Sequence, residues 1–191
     1  VIPLQVGKEM VICDKRHRYM DRCQDDEVCV CEMSQANVEQ ISRIIEIAGS
    51  DPAGWRKTTL EERHKIMYEA ANRLGEMRGD LIGCMCAITG KTVVEGDVEV
   101  SEGIDYARFY TTSMKLFADL PDVDITPEGT VLVISPWNFP CAIPIGGIVA
   151  ALAGGNTVIL KPATVAAPVA WLFAQAFWDA GVPKEALQVI I

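Results

Sequence analysis

The strongest constraint on this chain lies in its last third. Three short runs of strand type, Thr130-Val131-Leu132-Val133-Ile134-Ser135, Asn156-Thr157-Val158-Ile159-Leu160 and Leu187-Gln188-Val189-Ile190-Ile191, alternate with two apolar helical stretches, about Ala142 to Ala153 and about Ala167 to Ala180. A strand covered on both faces reads as a continuous apolar run rather than an alternating one. Strand, helix, strand, helix, strand with such strands predicts a parallel βαβαβ unit with right-handed crossovers. Gly146-Gly147 fits close packing inside the first helix, Gly154-Gly155 terminates it, and Gly181-Val182-Pro183 ends the second. No Gly-x-Gly-x-x-Gly follows the first strand, so the usual pyrophosphate fingerprint is absent.

Upstream, residues 1 to 33 read as short strands, with Gly7-Lys8-Glu9 and Gln24-Asp25-Asp26 as turn signals. A first helix is predicted from about Gln35 to Ala48, capped by Ser34, striped by Val38, Ile41, Ile45 and Ala48, and stopped by Gly49. Thr59-Leu60-Glu61-Glu62 is a capping box opening a second, with Leu60, Met67, Ala70, Ala71, Leu74 and Met77 at helical spacing. A third covers Asp80 to about Thr89 and stops at Gly90. A long fourth, about Val94 to Phe117, carries Val93, Val100, Ile104, Ala107, Thr111 and Met114 on one side and Val98, Glu102, Asp105 and Phe109 on another, which predicts packing on both. Asp119 to Gly129, with Pro121 and Pro127, is a connector or an edge hairpin. The expected organisation is an α/β chain with an amino-terminal strand and helix segment (1–118), a connector (119–129) and the βαβαβ segment (130–191).

Composition narrows the partners. The 191 residues carry a net charge of −9 with no basic cluster, which disfavours nucleic acid and leaves small soluble ligands. The apolar stretch Cys141 to Gly155 is too short for a membrane span, which needs about 20 residues. Val1 to Val6 has neither a charged leader nor a long apolar run. Seven cysteines, an odd number, suggest free thiols in a reducing cytosol. Cys29/Cys31 lie on a strand pattern and Cys84/Cys86 on a helical one, with no histidine pair at zinc spacing, so no metal site is expected.

In open parallel sheets, ligands bind outside the carboxyl ends of the strands. That rule selects Pro136-Trp137-Asn138-Phe139-Pro140 after the first strand and Lys161-Pro162-Ala163-Thr164 after the second. Two prolines stiffen the first loop, so the Asn138 amide is a preorganised donor for a developing oxyanion; alternatively the loop is a packed turn whose Asn138 bonds the backbone. Lys161 can meet ribose hydroxyls or phosphate as a point charge; alternatively it is a solvated lysine at a strand end.

Pro136-Trp137-Asn138-Phe139-Pro140, Gly155-Asn156-Thr157-Val158-Ile159-Leu160-Lys161-Pro162-Ala163 and Ala180-Gly181-Val182-Pro183 together resemble the aldehyde dehydrogenase superfamily in order and spacing. The resemblance extends upstream through Trp55 and Leu60-Glu61-Glu62-Arg63. Within it, the run Gly96 to Tyr110 looks like the Δ1-pyrroline-5-carboxylate dehydrogenase branch, which includes a module of the bifunctional proline utilisation A enzymes and oxidises L-glutamate γ-semialdehyde to glutamate with NAD⁺.

The resemblance implies an aldehyde dehydrogenase-like fold, with amino-terminal helices and the first half of a parallel Rossmann-type sheet. It implies Asn138 as oxyanion-hole amide, and Ile134, Ser135, Pro136 and Trp137 along the nicotinamide end of the cofactor. Phe139 would face the aldehyde tunnel, Lys161 would contact the adenosine ribose, and Pro162, Ala163 and Thr164 would lie beside it. Glu102 would border the tunnel and meet the substrate's α-ammonium. Many relatives have glutamate where Thr164 stands, so NADP joins NAD as a candidate cofactor. The family's nucleophilic cysteine and general-base glutamate are expected beyond Ile191, and Cys141 heads a buried helix, so the chain alone is expected to be inactive. The parent enzyme is expected to be a cytoplasmic homo-oligomer. The competing readings are a stand-alone non-catalytic nucleotide-binding or assembly module, and a dehydrogenase for another semialdehyde.

Overall fold

A computed structural model describes residues 1–24 and 28–191. Of the two expected early turns, Gly7-Lys8 connects the antiparallel pair β1 (Leu4–Val6) and β2 (Glu9–Val11), with Gly7 at φ 58°. The other, at Gln24-Asp25-Asp26, lies partly outside the described residues. β3 (Arg16–Met20) and β4 (Cys29–Ser34) form a second antiparallel pair with an irregularity between Tyr19 and Met20.

The first helix, α1, runs Val38–Ser50, shifted from its expected bounds. Ser34 does not cap it: Ser34 ends β4, and its hydroxyl accepts from Cys13 N at 3.1 Å. The cap is Asn37, whose carboxamide accepts from Gln40 N while Gln40 Oε1 accepts from Asn37 N, a capping box. Nor does Gly49 stop α1; the turn to left-handed backbone comes at Asp51, φ 47°.

The helices α2 (Leu60–Glu76) and α3 (Arg78–Thr89) follow, with the Thr59–Glu62 capping box and the left-handed Gly90 where sequence places them. α4 (Val93–Ala118) packs against α2, α3 and α5 through one face, built from Gly96, Glu99, Val100, Gly103, Ala107 and Thr111. Its second apolar face is not packed: Val98 and Phe109 are 64% and 62% exposed. Gly96 and Gly103 bring α3 and α5 close on the packed side, while no described element covers the other. Residues 119–129 form a connector without strand.

β5 (Thr130–Ile134), α5 (Ala142–Ala153), β6 (Thr157–Lys161), α6 (Ala167–Asp179) and β7 (Leu187–Val189) make the expected parallel unit, in sheet order β5-β6-β7. Val158 and Leu160 of β6 enter the main core with α2, α5 and α6. Ile159 points the other way, into a smaller core with Leu4, Val6, Ile44 and Ala48 from β1 and α1. Cover on both faces is why β6 reads as an unbroken apolar run.

The two edges of the sheet differ. Along β7, the buried Gln5 side chain substitutes for a neighbouring strand: its Nε2 donates to Leu187 O at 3.1 Å and its Oε1 accepts from Val189 N at 3.3 Å. Gln188 returns the contact, accepting from Gly7 N at 2.8 Å and donating to Ile44 O at 3.0 Å. β5 pairs only with β6 among the described residues, and its Leu132 and Ile134 side chains are 55% and 69% exposed. No described helix is long and apolar enough to cross a membrane.

α5 is apolar all round and almost wholly buried, so its end groups need protein partners. Trp55 Nε1 donates to Leu152 O at 3.2 Å and Arg63 Nε to Ala153 O at 3.0 Å. Gly155 follows at φ 81°, where a Cβ would lie 3.0 Å from Pro127 and 3.4 Å from the Arg63 guanidinium. Gly155→Ala is therefore expected to cost about 1–3 kcal/mol, the left-handed penalty plus crowding against Pro127 and Arg63. In thermal unfolding this is a fall in Tm of roughly 2–10 °C; an unchanged Tm would show that the turn relaxes freely.

Candidate active site

The carboxyl ends of β5 and β6 are joined before their loops diverge. Ile134 is in register with Lys161, Ser135 N donates to Lys161 O at 3.3 Å, and Ala163 N donates to Ser135 O at 3.1 Å. The loops carrying Asn138 and Lys161 thus leave one edge of the sheet, as the strand-end rule requires.

Asn138 is exposed, and its carboxamide has no hydrogen-bond partner among the described residues. The packed-turn alternative, in which Asn138 bonds the backbone, therefore does not describe this loop. Pro140 is buried and anchors the far end, while Pro136, Trp137 and Phe139 are exposed. Trp137 lines a groove of about 480 Å³ with Arg22, Ile88, Thr89 and Val165. Ser135 is 6% exposed, and its Oγ is buried without a partner. An orphaned buried hydroxyl typically costs about 1–3 kcal/mol, so this edge has an unmet demand for a polar partner.

Lys161 is half-buried, and its ammonium makes no ion pair or hydrogen bond among the described residues. Pro162 is buried; Ala163 and Thr164 are half-buried, and Thr164 starts a short 3-10 turn leading into α6. A larger groove, about 720 Å³, runs over the outer face of α2 among Glu61, His64, Tyr68 and Ala180. It contains none of the strand-end residues, and size alone does not outweigh the placement of Asn138 and Lys161.

Glu102 is half-buried, and its Oε1 accepts from Tyr106 Oη at 2.9 Å one turn along α4. That hydrogen bond raises the Tyr106 phenol above its usual value. Tyr106 packs on Gly146 of α5, where a Cβ would come within 3.2 Å of the ring. None of the described contacts joins Glu102 to Asn138 or Phe139.

Two residues at this site escape sequence reading. Glu99 is 1% exposed, and its Oε1 accepts from Cys141 N at 2.7 Å and Ala142 N at 3.1 Å, the first amides of α5. Its Oε2 is paired with the Lys91 ammonium, which also lies 4.3 Å from the centroid of Phe139. The available signal was a carboxylate on the stripe of Gly96, Val100 and Gly103 rather than beside it. Cys141, three residues from Asn138, is fully buried; burial pushes its thiol well above the usual range, with the Glu99 carboxylate adding to the effect. Burial of this kind disfavours the thiolate, the form in which a cysteine attacks.

Residues 13–191 match the aldehyde dehydrogenase family. The chain is 33% identical over 198 residues to the 1-pyrroline-5-carboxylate dehydrogenase of Geobacillus sp. (strain WCH70), covering 98% of this chain and 38% of that protein's length. Its fold is similar to proline utilization A (PutA) from Bdellovibrio bacteriovorus, with a TM-score of 0.92 and 25% identity over 99% of this chain and 21% of that one. It is also similar to a 1-pyrroline-5-carboxylate dehydrogenase from Thermus with bound NAD, with a TM-score of 0.90 and 27% identity over 100% of this chain and 39% of that one. A match through nearly the whole chain, with the strand-end loops on one edge of a Rossmann-type sheet, places this chain in the aldehyde dehydrogenase family.

Proposed function

We propose that this chain supplies the oxyanion donor and part of the cofactor edge of an NAD(P)-dependent dehydrogenase. Its substrate in this reading is L-glutamate γ-semialdehyde, oxidised to glutamate in proline catabolism. The observation that carries the reading is the joined pair of strand ends, which presents an unengaged carboxamide and an unengaged ammonium on one edge. The similarity to proteins named 1-pyrroline-5-carboxylate dehydrogenase supports the choice of aldehyde.

The residues present fit a nicotinamide dinucleotide. Trp137 offers an exposed ring beside a groove, and the unengaged Lys161 ammonium stands at the neighbouring strand end. Ile134, Ser135, Pro136 and Trp137 would hold the nicotinamide end; Lys161 would bind ribose hydroxyls, flanked by Pro162, Ala163 and Thr164. When bound, the nicotinamide supplies a hydride acceptor. Thr164 brings no negative charge, so a 2′-phosphate is tolerated and NADP is admitted with NAD. Asn138 Nδ2 would donate to the aldehyde oxygen as negative charge develops there, and its stiff loop avoids a reorganisation cost. Phe139 would wall the approach of the aldehyde. Glu102 keeps Oε2 without a partner among the described residues, available for a substrate ammonium.

In this reading the nucleophilic cysteine belongs to a segment outside these 191 residues, and the enzyme is a cytoplasmic homo-oligomer. The 191-residue chain alone is then expected to produce no aldehyde-dependent absorbance at 340 nm with NAD⁺; steady production would assign the nucleophile to this chain.

In the full-length enzyme, Asn138→Ala is expected to lower kcat about 100-fold, the usual effect of one oxyanion donor. Near-normal turnover would remove Asn138 from the chemistry. Lys161→Ala is expected to raise KM for the cofactor more than it lowers kcat, since the ribose does not react; the reverse pattern would refute the contact. Glu102→Ala is expected to lower kcat/KM for glutamate semialdehyde by roughly 10–150-fold relative to propanal, the loss of one charge-assisted contact. Equal losses on both aldehydes would make Glu102 a packing partner of Tyr106 only.

A further inference from the structure

We infer that Glu99, together with Lys91, is the positioning device of the Asn138 loop, acting from inside the protein on both sides of the donor. The inference rests on the reading of Asn138 as the oxyanion donor.

Glu99 carries a charge at 1% exposure, a placement that is costly unless every lone pair has a partner. Its partners are all devoted to one structure. Two are the amides of Cys141 and Ala142, where α5 begins. Cys141 stands at the N-cap position and makes no side-chain cap, as expected of a residue with no strong acceptor. Glu99 supplies that cap from 42 residues away, with its charge at the end of the helix where the macrodipole favours an anion.

The third partner, Lys91, links the carboxylate to the other side of the loop. Its side chain is 14% exposed, and its ammonium lies over the Phe139 ring as well as against Glu99. Lys91 is itself fixed in sequence between the left-handed Gly90 that ends α3 and the Thr92–Glu95 capping box that starts α4. The loop is therefore gripped at Phe139 by the cation and at Cys141 and Ala142 by the anion. Asn138 lies between the gripped Phe139 and the strand-end staple at Ser135.

Glu99 also settles which donors face outward. The two α5 amides that could compete for an oxyanion are consumed by its carboxylate, and Asn138 Nδ2 is left unengaged. Because Glu99 is sealed from solvent, it cannot touch a substrate and acts only through the loop.

A double-mutant cycle in the full-length enzyme tests this. Glu99→Leu is expected to lower kcat about as far as Asn138→Ala, roughly 100-fold, with KM for the cofactor within about threefold. The double variant is expected to fall no more than about threefold below the weaker single, because both changes remove the same donor. Glu99→Gln, which keeps an acceptor for Cys141 and Ala142, is expected to restore kcat to within about tenfold of the unmodified enzyme. Losses that multiply in the double variant, unchanged kcat in Glu99→Leu, or no rescue by Gln would each overturn the positioning role. The Asn138→Ala arm alone tests the underlying reading: unchanged kcat there removes the oxyanion donor, whatever Glu99 does. If Glu99→Leu yields no folded protein, Lys91→Met enters the same cycle. Its expected loss of roughly tenfold disappears in the Asn138→Ala background, and a loss that persists there overturns the role.

Discussion

Burial of α5 is the constraint around which the molecule is arranged. A helix with no polar side chain cannot cap itself, yet most of its residues are buried, at both ends as well as in the middle. The carboxyl end is satisfied by Trp55 and Arg63 from the segment before and within α2, and the amino end by Glu99 from α4. These three side chains tie the amino-terminal segment to α5, and the two segments separated by the 119–129 connector share one core. Removing one such partner would leave a buried group unpaired, which costs more than the hydrogen bond contributes when made.

The same requirement places the chemistry. The chain leaves β5, runs out through an exposed loop, and must return buried at Pro140 and Cys141 to begin α5. The loop is short, its return point is capped by a sealed charge, and its departure point is stapled to β6 through Ser135. In the proposed reading, the positioning of Asn138 is thus a by-product of satisfying a helix end. The Ser135 hydroxyl, without a partner among the described residues, lies at the departure point.

Much of this architecture was legible in the sequence, and the losses have physical reasons. The βαβαβ order followed from unbroken apolar runs, and the Thr59–Glu62 box and Gly90 stop carry local signals that tertiary context did not override. The cap of α1 was misplaced because Ser34 and Asn37 are both good caps, and only strand pairing of Ser34 decides between them. The second face of α4 looked packable because spacing records periodicity and not the presence of a neighbour. For the site, spacing and resemblance picked out the loop and Lys161, but whether the Asn138 amide is free depends on contacts that no pattern encodes. Glu99 and Lys91 escape sequence reading, since Cys141 and Phe139, which they hold, lie 42 and 48 residues away in the chain.

The unequal edges of the sheet carry a further consequence for assembly. Gln5 terminates hydrogen bonding on the β7 side, so the sheet can be extended in one direction only, outward from β5. On that side β5 has no strand partner among the described residues, and the side chains of Leu132 and Ile134 are uncovered. Such an edge templates any extended segment that reaches it, whether the proper continuation of the sheet or a stray chain. During synthesis this makes the order of events matter. Any extended chain that meets β5 before its edge is covered finds an adhesive strip there.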